Sequence, residues 1–440
     1  MNHKSYLMLA LPLIASTITT PLIGAVDTAV VGQLPDPAYI GGVAVGAILF
    51  NTMYWLLGFL RVSTSGFTAQ AHGSRDEEAI ALSFIRPFIT AGVMGIIFIL
   101  FQQPIAHLAM AIIDPSEQVQ EHAQTYITIR IWGAPFALMN YVILGWLMGL
   151  SKIKFAFYLQ VGMNVLNILL DLLFVSGFSW NAAGVAAATL IAEAAAAAAG
   201  LGYILKSQRN LLRLPNLKKT ADITSLMKMM TVNRDLFLRT VCLLIMFNLF
   251  TKYGASFGTD VLAANAILIQ IHYIMAYFFD GFANASSILT GRAIGAKDRN
   301  GFDKILSLSY QWSLYAALLI TLVYFFVKDS AIELFTQIPA VAELASHYGD
   351  WLLLYPLSAC AGLVIYGIFT GATSVVHVRN SMIFSLIVYL LFLWAFLPVY
   401  GNHGLWAAFI AFSFCRSVFL MMYVPRLRKN LFSREELRRQ

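Results

Sequence analysis

The 440-residue chain is a succession of apolar stretches, most of them long enough to cross a lipid bilayer, joined by short polar loops. A membrane-spanning helix needs roughly 20 predominantly apolar residues. Apolar side chains make up 59% of the chain and charged ones 12%, whereas a soluble domain is about half apolar and a quarter charged. Because backbone groups in lipid must be hydrogen-bonded internally, the pattern predicts an all-α membrane protein.

The apolar stretches predict twelve transmembrane helices. They cover residues 6–33, 40–68, 79–104, 122–149, 155–177, 183–205, 236–257, 261–290, 303–327, 346–372, 378–399 and 403–425. One long polar connection lies between the sixth and seventh helices. The predicted organisation is an N-lobe over 1–205, a cytoplasmic linker over 206–235, a C-lobe over 236–425 and a basic cytoplasmic tail over 426–440.

Loop charge predicts the orientation. One set of loops is basic, from Lys4 through the 206–235 connection to the tail, and the opposite set is acidic. The acidic loops carry Asp36, Asp114, Glu117, Glu121, Asp260, Asp329, Glu333 and Glu343. Since cytoplasmic loops are the basic ones, both termini are expected in the cytoplasm of a multi-pass protein in the cell inner (plasma) membrane. The net charge of +7 is thus a topology signal, and no nucleic-acid partner is expected.

The chain also repeats itself at an offset of about 222 residues. The matched pairs include Gly145 with Gly367, Gly149 with Gly371, Ser65 with Ser287 and Asp76 with Asp298. With six helices in each half, both halves share one topology and are expected to be related by an axis along the membrane normal. Two such six-helix lobes normally enclose a central cavity.

Two acids lie inside these spans, Asp27 on the first helix and Asp171 on the fifth. Charged side chains in hydrocarbon are expensive and mark ion, proton or substrate sites. Asp27 lies roughly 9 Å below the outer end of its helix at 1.5 Å per residue, and Asp171 and Thr189 lie at similar depths. Asn167 precedes Asp171 by one turn and shares its face, and Asn164 extends that face.

These residues suggest a proton or cation site. Two nearby carboxylates in a low dielectric do not both ionise cheaply, so one is expected to hold a proton. The alternative is a structural network, since polar side chains also join membrane helices. At the repeat offset Asp27 faces Leu249, so the second half lacks the acids and a folded half does not require them.

Three further features have two readings each. Pro21, six residues before Asp27, is either a hinge tied to protonation or a static kink. Glu193 is either a proton relay or a local ion-pair partner. Arg61 and Asp280, near the cytoplasmic ends of repeat-mate helices, either close the cytoplasmic side as a gate or are interfacial anchors. Arg239 is interpreted as an anchor at a helix start.

Several Met and Tyr side chains are candidates for a pliable substrate cavity, although packing explains such residues equally well. They are Met53, Tyr54, Met139, Tyr141, Met163 and Met275. The histidines have no metal-ligand spacing, and no ATP-binding or hydrolase motif is present. We therefore expect no enzyme activity, no catalytic residue, no metal and no cofactor beyond a coupling ion.

Several stretches resemble the multidrug and toxic compound extrusion (MATE) family, and within it the DinF-like branch. They are LPLIASTITTPLIGAVDTAVVGQL at 11–34, FLRVSTSGFTAQAHGSRD at 59–76, NVLNILLDLLFVSG at 164–177, VNRDLFLRT at 232–240, FFDGFANA at 278–285 and RNSM at 379–382. The resemblance covers nearly all of the chain. It implies a two-lobed antiporter that exports amphipathic, often cationic compounds in exchange for H⁺ or Na⁺.

The resemblance also implies roles for the N-lobe residues. Asp27 matches the coupling acid, with Asn167, Asp171 and Thr189 as its partners, and bending of the first helix would fall at Pro21. Helices seven and ten, which carry a sodium site in other branches, have no acid in their membrane interior here. H⁺ coupling is therefore favoured, and Na⁺ at the N-lobe acids stays as an alternative.

The sequence predicts a drug/H⁺ antiporter that works by alternating access, as a monomer in membrane lipid, on small amphipathic or cationic molecules. The alternatives are an Na⁺-coupled drug antiporter and a lipid-linked oligosaccharide flippase of the same superfamily. A flippase would be expected to have a more cationic cavity.

Overall fold

The computed structural model of the chain describes the backbone of residues 2–31, 37–209, 217–220 and 222–439. Side chains are described for residues 2–18, 38–209, 219–220 and 222–432. Within these ranges the secondary structure is helical, and no strand occurs. The predicted all-α membrane fold is confirmed.

The helices are numbered in chain order. They are α1 (His3–Val31), α2 (Pro37–Leu57), α3 (Phe59–Gly73), α4 (Glu77–Leu100), α5 (Gln102–Ile113), α6 (Glu117–Arg130), α7 (Ala134–Gly149), α8 (Ile153–Asp171), α9 (Asn181–Ser207), α10 (Leu217–Thr220), α11 (Ile223–Ala255), α12 (Thr259–Gly295), α13 (Arg299–Phe335), α14 (Pro339–Gly349), α15 (Trp351–Gly371), α16 (Val376–Tyr400) and α17 (Asn402–Arg439). A short 3₁₀ turn, Ile131–Gly133, joins α6 to α7, and a π-helical segment, Leu172–Gly177, follows α8.

Ten spans that are long and apolar enough to cross a membrane lie in the described part of the chain. The two other predicted spans fall in α1, with 29 residues, and α13, with 37 residues. Both exceed the roughly 20 residues that a crossing needs. Twelve spans in two six-helix lobes therefore account for the molecule.

The predicted linker differs from the observed structure. We expected a polar connection up to residue 235, but α11 begins at Ile223. Asp222 caps this helix, because its carboxylate accepts a hydrogen bond from the backbone N–H of Ser225 at 2.9 Å. Hydrogen bonds from Ser225 hold the pKa of the Asp222 carboxyl below its usual range. A capped start lets the helix begin before the apolar stretch that predicted it.

The internal repeat is visible in the local geometry of the turns. Asp76 caps α4 and Asp298 caps α13, each accepting a hydrogen bond from a first-turn backbone N–H, at 2.9 and 2.8 Å. The residue before each cap has a left-handed backbone, with φ of 56° at Arg75 and 54° at Lys297. The two halves therefore share turn conformations as well as helix order.

Close helix packing repeats in the same way. A Cβ added at Gly145 of α7 would collide with the backbone carbonyl of Arg61 in α3. One added at Gly367 of α15 would collide with that of Ala283 in α12, and the next turn of each helix has the same relation. Small residues at these positions permit the close approach of two membrane helices.

The chain divides into two compact units. We call residues 19–229 the amino-terminal bundle, and residues 1–18 together with 230–440 the carboxy-terminal bundle. The predicted boundary assigned the whole first helix to the N-lobe, but the first part of α1 groups with the second half of the chain. A boundary drawn from chain order alone misses this exchange.

Buried contacts hold the start of α1 in the carboxy-terminal bundle. The Tyr6 hydroxyl and the Ser286 Oγ are 2.8 Å apart. Thr17 donates a hydrogen bond to the carbonyl of Tyr277 at 2.8 Å, and Gly281 lies directly against Ile14. These contacts fix residues 3–18 to α12.

Candidate functional site

Asn167 and Asp171 lie one turn apart on α8 and are both buried, with exposed fractions of 6% and 1%. The amide Nδ2 of Asn167 donates to the Thr189 Oγ1 of α9 at 3.3 Å. Thr189 in turn donates to the carbonyl of Val185 at 3.0 Å. Three of the predicted site residues therefore lie on two neighbouring helices, with Asn167 and Thr189 in direct contact.

The backbone changes at Asp171. This residue ends α8, and the π-helical segment Leu172–Gly177 follows it, with the Phe178 N–H donating to the Leu173 carbonyl at 3.0 Å. Short π-helical turns inside membrane or soluble helices occur frequently at functional sites. The buried acid thus lies where the regular helix stops.

Asn164, one turn before Asn167, faces partly into the bundle. Its Nδ2 is buried and has no hydrogen-bond partner in the described part of the chain. An amide with spare donor capacity on the same side of α8 as two buried polar groups extends the polar face predicted from the sequence.

Asp27 and Pro21 lie on α1, in the stretch whose side chains fall outside the described residues. The predicted coupling role of Asp27 and the predicted hinge at Pro21 therefore stay predictions. Of the predicted site, the structure describes the residues on α8 and α9.

A second buried polar group in the amino-terminal bundle was missed by the sequence reasoning. Arg130, at the end of α6, forms a two-pronged ion pair with Glu193 of α9, with N–O distances of 2.6 and 2.8 Å. The guanidinium carbon lies 5.2 and 5.3 Å from the ring centroids of Phe50 and Tyr54. Arginine over an aromatic face gains cation–π attraction.

This pair decides between the two readings of Glu193 in favour of the local ion pair. Both Glu193 oxygens accept from Arg130, and its backbone carbonyl accepts from Asn140 Nδ2 at 2.9 Å. A fully engaged carboxylate is a structural partner rather than a free relay. The available signal was Arg130 itself, an arginine in the predicted 122–149 span with an acid in a neighbouring one.

The candidate cavity residues have separate surroundings. The Tyr54 hydroxyl accepts a hydrogen bond from Arg130 at 3.4 Å, and the Met163 sulfur lies 3.9 Å from Asn140 Nδ2. The terminal methyl of Met139 lies near Gly92, while Met275 belongs to the carboxy-terminal bundle. Met53 and Tyr141 are half-buried. A shared cavity for this set stays a prediction.

The predicted gate residues, Arg61 and Asp280, are each half-buried and belong to different bundles. Their proposed closure of the cytoplasmic side also stays a prediction.

Arg239 was wrongly assigned as an anchor at a helix start. Because α11 begins at Ile223, Arg239 lies well inside the helix. Its guanidinium carbon lies 4.3 Å from the ring centroid of Tyr366. The residue nearer the helix start is Asp235, which is 2% exposed and forms an ion pair with Arg379 at 2.7 Å. This pair connects two of the stretches on which the resemblance depends.

Comparison with known proteins decides the family. The MatE family model matches residues 12–173 and 236–395, one segment in each half of the chain. The chain belongs to the MatE family. As predicted, it is a membrane transporter rather than an enzyme, and the two matched segments agree with the internal repeat.

Among curated relatives, the MatE chain is 38% identical over 423 residues to the DNA damage-inducible protein F of Escherichia coli, covering 95% of this chain and 91% of that protein. It is 27% identical to the chloroplastic protein DETOXIFICATION 44 of Arabidopsis thaliana, covering 93% and 80%. The predicted DinF-like membership is confirmed.

Solved structures share the fold. An outward-facing multidrug resistance MATE family transporter has a TM-score of 0.85 at 19% identity, covering 98% of this chain and 97% of that one. The Vibrio cholerae MATE transporter VcmN in its bent form has a TM-score of 0.84 at 19% identity, covering 98% of both chains. At this identity the likeness concerns the fold alone.

Proposed function

We propose that the protein is a proton-coupled multidrug efflux antiporter in which Asp27 is the coupling acid. The observation that carries the proposal is the buried polar group formed by Asn167, Asp171 and Thr189 beside the π-helical turn. Buried ionisable residues in membrane proteins mark ion and proton pathways. The E. coli relative and the multidrug MATE proteins provide the family context.

In the proposed cycle, a cationic amphipathic substrate binds while Asp27 carries its charge. Protonation from outside neutralises Asp27, and its hydrogen-bonding partners become Asp171 and Asn167. A change in α1 then begins at Pro21 and releases the substrate outward. Asn164 and Thr189 supply neutral oxygen and amide groups that support either protonation state.

The membrane location and orientation are inferred from the loop charges, and the working unit and the substrates are inferred from the family. The protein lies in the cell inner membrane with both termini in the cytoplasm, and one subunit in contact with membrane lipid is the working unit. The exported compounds are small, amphipathic and mostly cationic.

Na⁺ coupling is the second candidate. Two carboxylates with the neutral oxygens of Asn167 and Thr189 have the hard oxygen ligands that Na⁺ prefers, as Mg²⁺ and Ca²⁺ do. A lipid-linked oligosaccharide flippase is the third, and the acids of the amino-terminal bundle make it the weaker one.

The test uses purified protein in proteoliposomes with an imposed pH gradient, repeated with an imposed Na⁺ gradient. We expect tetraphenylphosphonium transport to follow the pH gradient, to stop in Asp27→Asn, and to weaken strongly in Asp171→Asn. Asp260→Asn, which removes an exposed acid at the start of α12, is the matched control and should transport normally. Gradient-driven transport by Asp27→Asn at the normal rate contradicts the proposal. Transport by wild type that is driven only by the Na⁺ gradient would show that the coupling ion is Na⁺ rather than H⁺.

A further inference from the structure

Among the described residues, buried side-chain nitrogen atoms without hydrogen-bond partners are concentrated in the carboxy-terminal bundle. Arg416 on α17 is only 9% exposed, and its terminal nitrogen Nη2 has no partner in the described part of the chain. Nε of Arg239 on α11 and Nδ1 of His272 on α12 are also buried atoms without a hydrogen-bond partner in the described part of the chain. Unpaired buried polar groups are costly, and a buried charge is costlier still. Such donors need an explanation.

These donors belong to one neighbourhood. Arg239, Asp280, Tyr355 and Tyr366 all act electrostatically on Arg416, and Arg416 acts in turn on His272. Arg239 stacks on the Tyr366 ring at 4.3 Å. Four helices, α11, α12, α15 and α17, therefore contribute to the cluster.

The position of Arg416 is fixed by the residue that follows it. Ser417 Oγ donates to the carbonyl of Ser358 at 2.7 Å and accepts from the Gly362 N–H at 2.9 Å. A Cβ at Gly362 would lie 3.0 Å from the Ser417 backbone, so α15 and α17 are in close contact here. The guanidinium is thus presented from a rigid helix pair.

The charges of the cluster do not balance. Within the described part of the chain, the charged groups around the Arg416 guanidinium are a second guanidinium, that of Arg239, and one carboxylate, that of Asp280, which is half-buried. One positive charge is left over in a low-dielectric interior. A single anionic group at the free guanidinium nitrogens would restore neutrality and satisfy the unpaired donors.

Buried aromatic rings also belong to this neighbourhood. The His272 ring centroid lies 4.3 Å from that of Tyr355 and 5.0 Å from that of Phe409. Tyr355 and Phe409 are themselves 6.0 Å apart. Rings of this kind are the usual lining for the apolar part of a bound small molecule.

We propose that Arg239 and Arg416 bind the anionic group of an amphipathic organic monoanion, whose apolar body contacts the Tyr355, Tyr366 and Phe409 rings. The site would extend the substrates of the transporter from cations to carboxylate-bearing and zwitterionic compounds. It does not depend on Asp27 or on proton coupling, so the two proposals can fail separately.

The test is equilibrium binding of dansylglycine, which has a free carboxylate, to the full-length protein in an uncharged detergent and chloride-free buffer. The matched ligand is dansylglycinamide, which lacks the charge. We expect wild type to bind the acid more tightly than the amide. Arg416→Gln and Arg239→Gln should each weaken binding of the acid by about tenfold or more, the scale of a lost charge-assisted hydrogen bond.

The control variant is Lys252→Gln, which removes an exposed positive charge from α11 of the same bundle. It should bind both ligands as wild type does, and Arg416→Gln should bind the amide as wild type does. Equal affinity of wild type for the acid and the amide overturns the proposal, as does equal loss in Lys252→Gln.

Thermal unfolding keeps the test informative if a variant folds poorly. Dansylglycine should raise the melting temperature of wild type and of Arg416→Lys but not of Arg416→Met. If chloride alone produces an Arg416-dependent rise and dansylglycine adds nothing, the cluster takes inorganic anions and the organic ligand is wrong.

Discussion

At the scale of single residues, the Arg130–Glu193 pair shows how the amino-terminal bundle tolerates charge in its interior. Each carboxylate oxygen has a guanidinium nitrogen within 2.8 Å, and the exposed fractions of the two residues are 5% and 9%. Replacing such a pair by apolar residues is often neutral, whereas removing one partner leaves a buried charge unpaired.

We therefore expect Glu193→Gln to lower the unfolding free energy by about 3–5 kcal/mol, seen as a lower melting temperature in detergent. The double variant Arg130→Met/Glu193→Met should recover most of the loss. Lys219→Gln, which breaks an exposed ion pair with Glu78 at 2.7 Å, is the control and should cost less than about 1 kcal/mol. A Glu193→Gln protein as stable as the control variant contradicts this account.

Individual residues also show what the sequence could and could not predict. Asn167, Asp171 and Thr189 were predicted together because helical spacing and depth in the membrane are readable from one chain. Arg130 as the partner of Glu193 was not predicted, because the choice of partner depends on which helices are neighbours. The unpaired donors of Arg239 and Arg416 also become visible only once four helices are packed.

At the scale of helices, the fold depends on repeated close contacts between backbones. Gly145 against Arg61 and Gly367 against Ala283 occupy corresponding positions in the two bundles. Their spacing was visible in the sequence as a repeat, although the contact that each glycine makes was not. Helix ends that depend on caps, such as the start of α11, were also placed wrongly from apolar length alone.

Gly145→Ala should destabilise the protein by about 1–3 kcal/mol, the usual cost of overpacking, because the added methyl would meet the Arg61 carbonyl. Gly367→Ala should lower the stability by a similar amount, because its methyl would meet the Ala283 carbonyl in the other bundle. Gly162→Ala on α8 is the control, since no described residue lies within 4 Å of its Cβ position. It should be neutral or stabilising by up to about 1 kcal/mol, as alanine favours the helix. Melting temperatures that fall equally in all three variants would argue against the repeated contact.

At the scale of the whole molecule, the two bundles are alike in architecture and different in chemistry. The amino-terminal bundle buries Asp171 and a satisfied ion pair. The carboxy-terminal bundle buries Arg416, whose Nη2 has no partner among the residues that the structure describes. The repeat therefore keeps its turns and packing while its buried polar residues differ between the two halves.

The loop charges predict that both ends of the chain face the cytoplasm. A green fluorescent protein fused after residue 440 should be fluorescent in cells, because that protein folds in the cytoplasm. The same fluorescent protein inserted near Asp114, in an acidic loop, should not fluoresce. A dark C-terminal fusion with a fluorescent Asp114 insertion would reverse the orientation.

We propose that cation binding and proton binding compete at the acids of the amino-terminal bundle. The most direct measurement of this competition is the pH change when tetraphenylphosphonium, a cation with no titratable group, is added to purified protein in weakly buffered detergent solution. We predict that wild type releases protons, that Asp27→Asn releases none, and that Asp260→Asn releases as many as wild type. Release of equal size by Asp27→Asn, or tight binding by wild type without any release, would contradict the proposal.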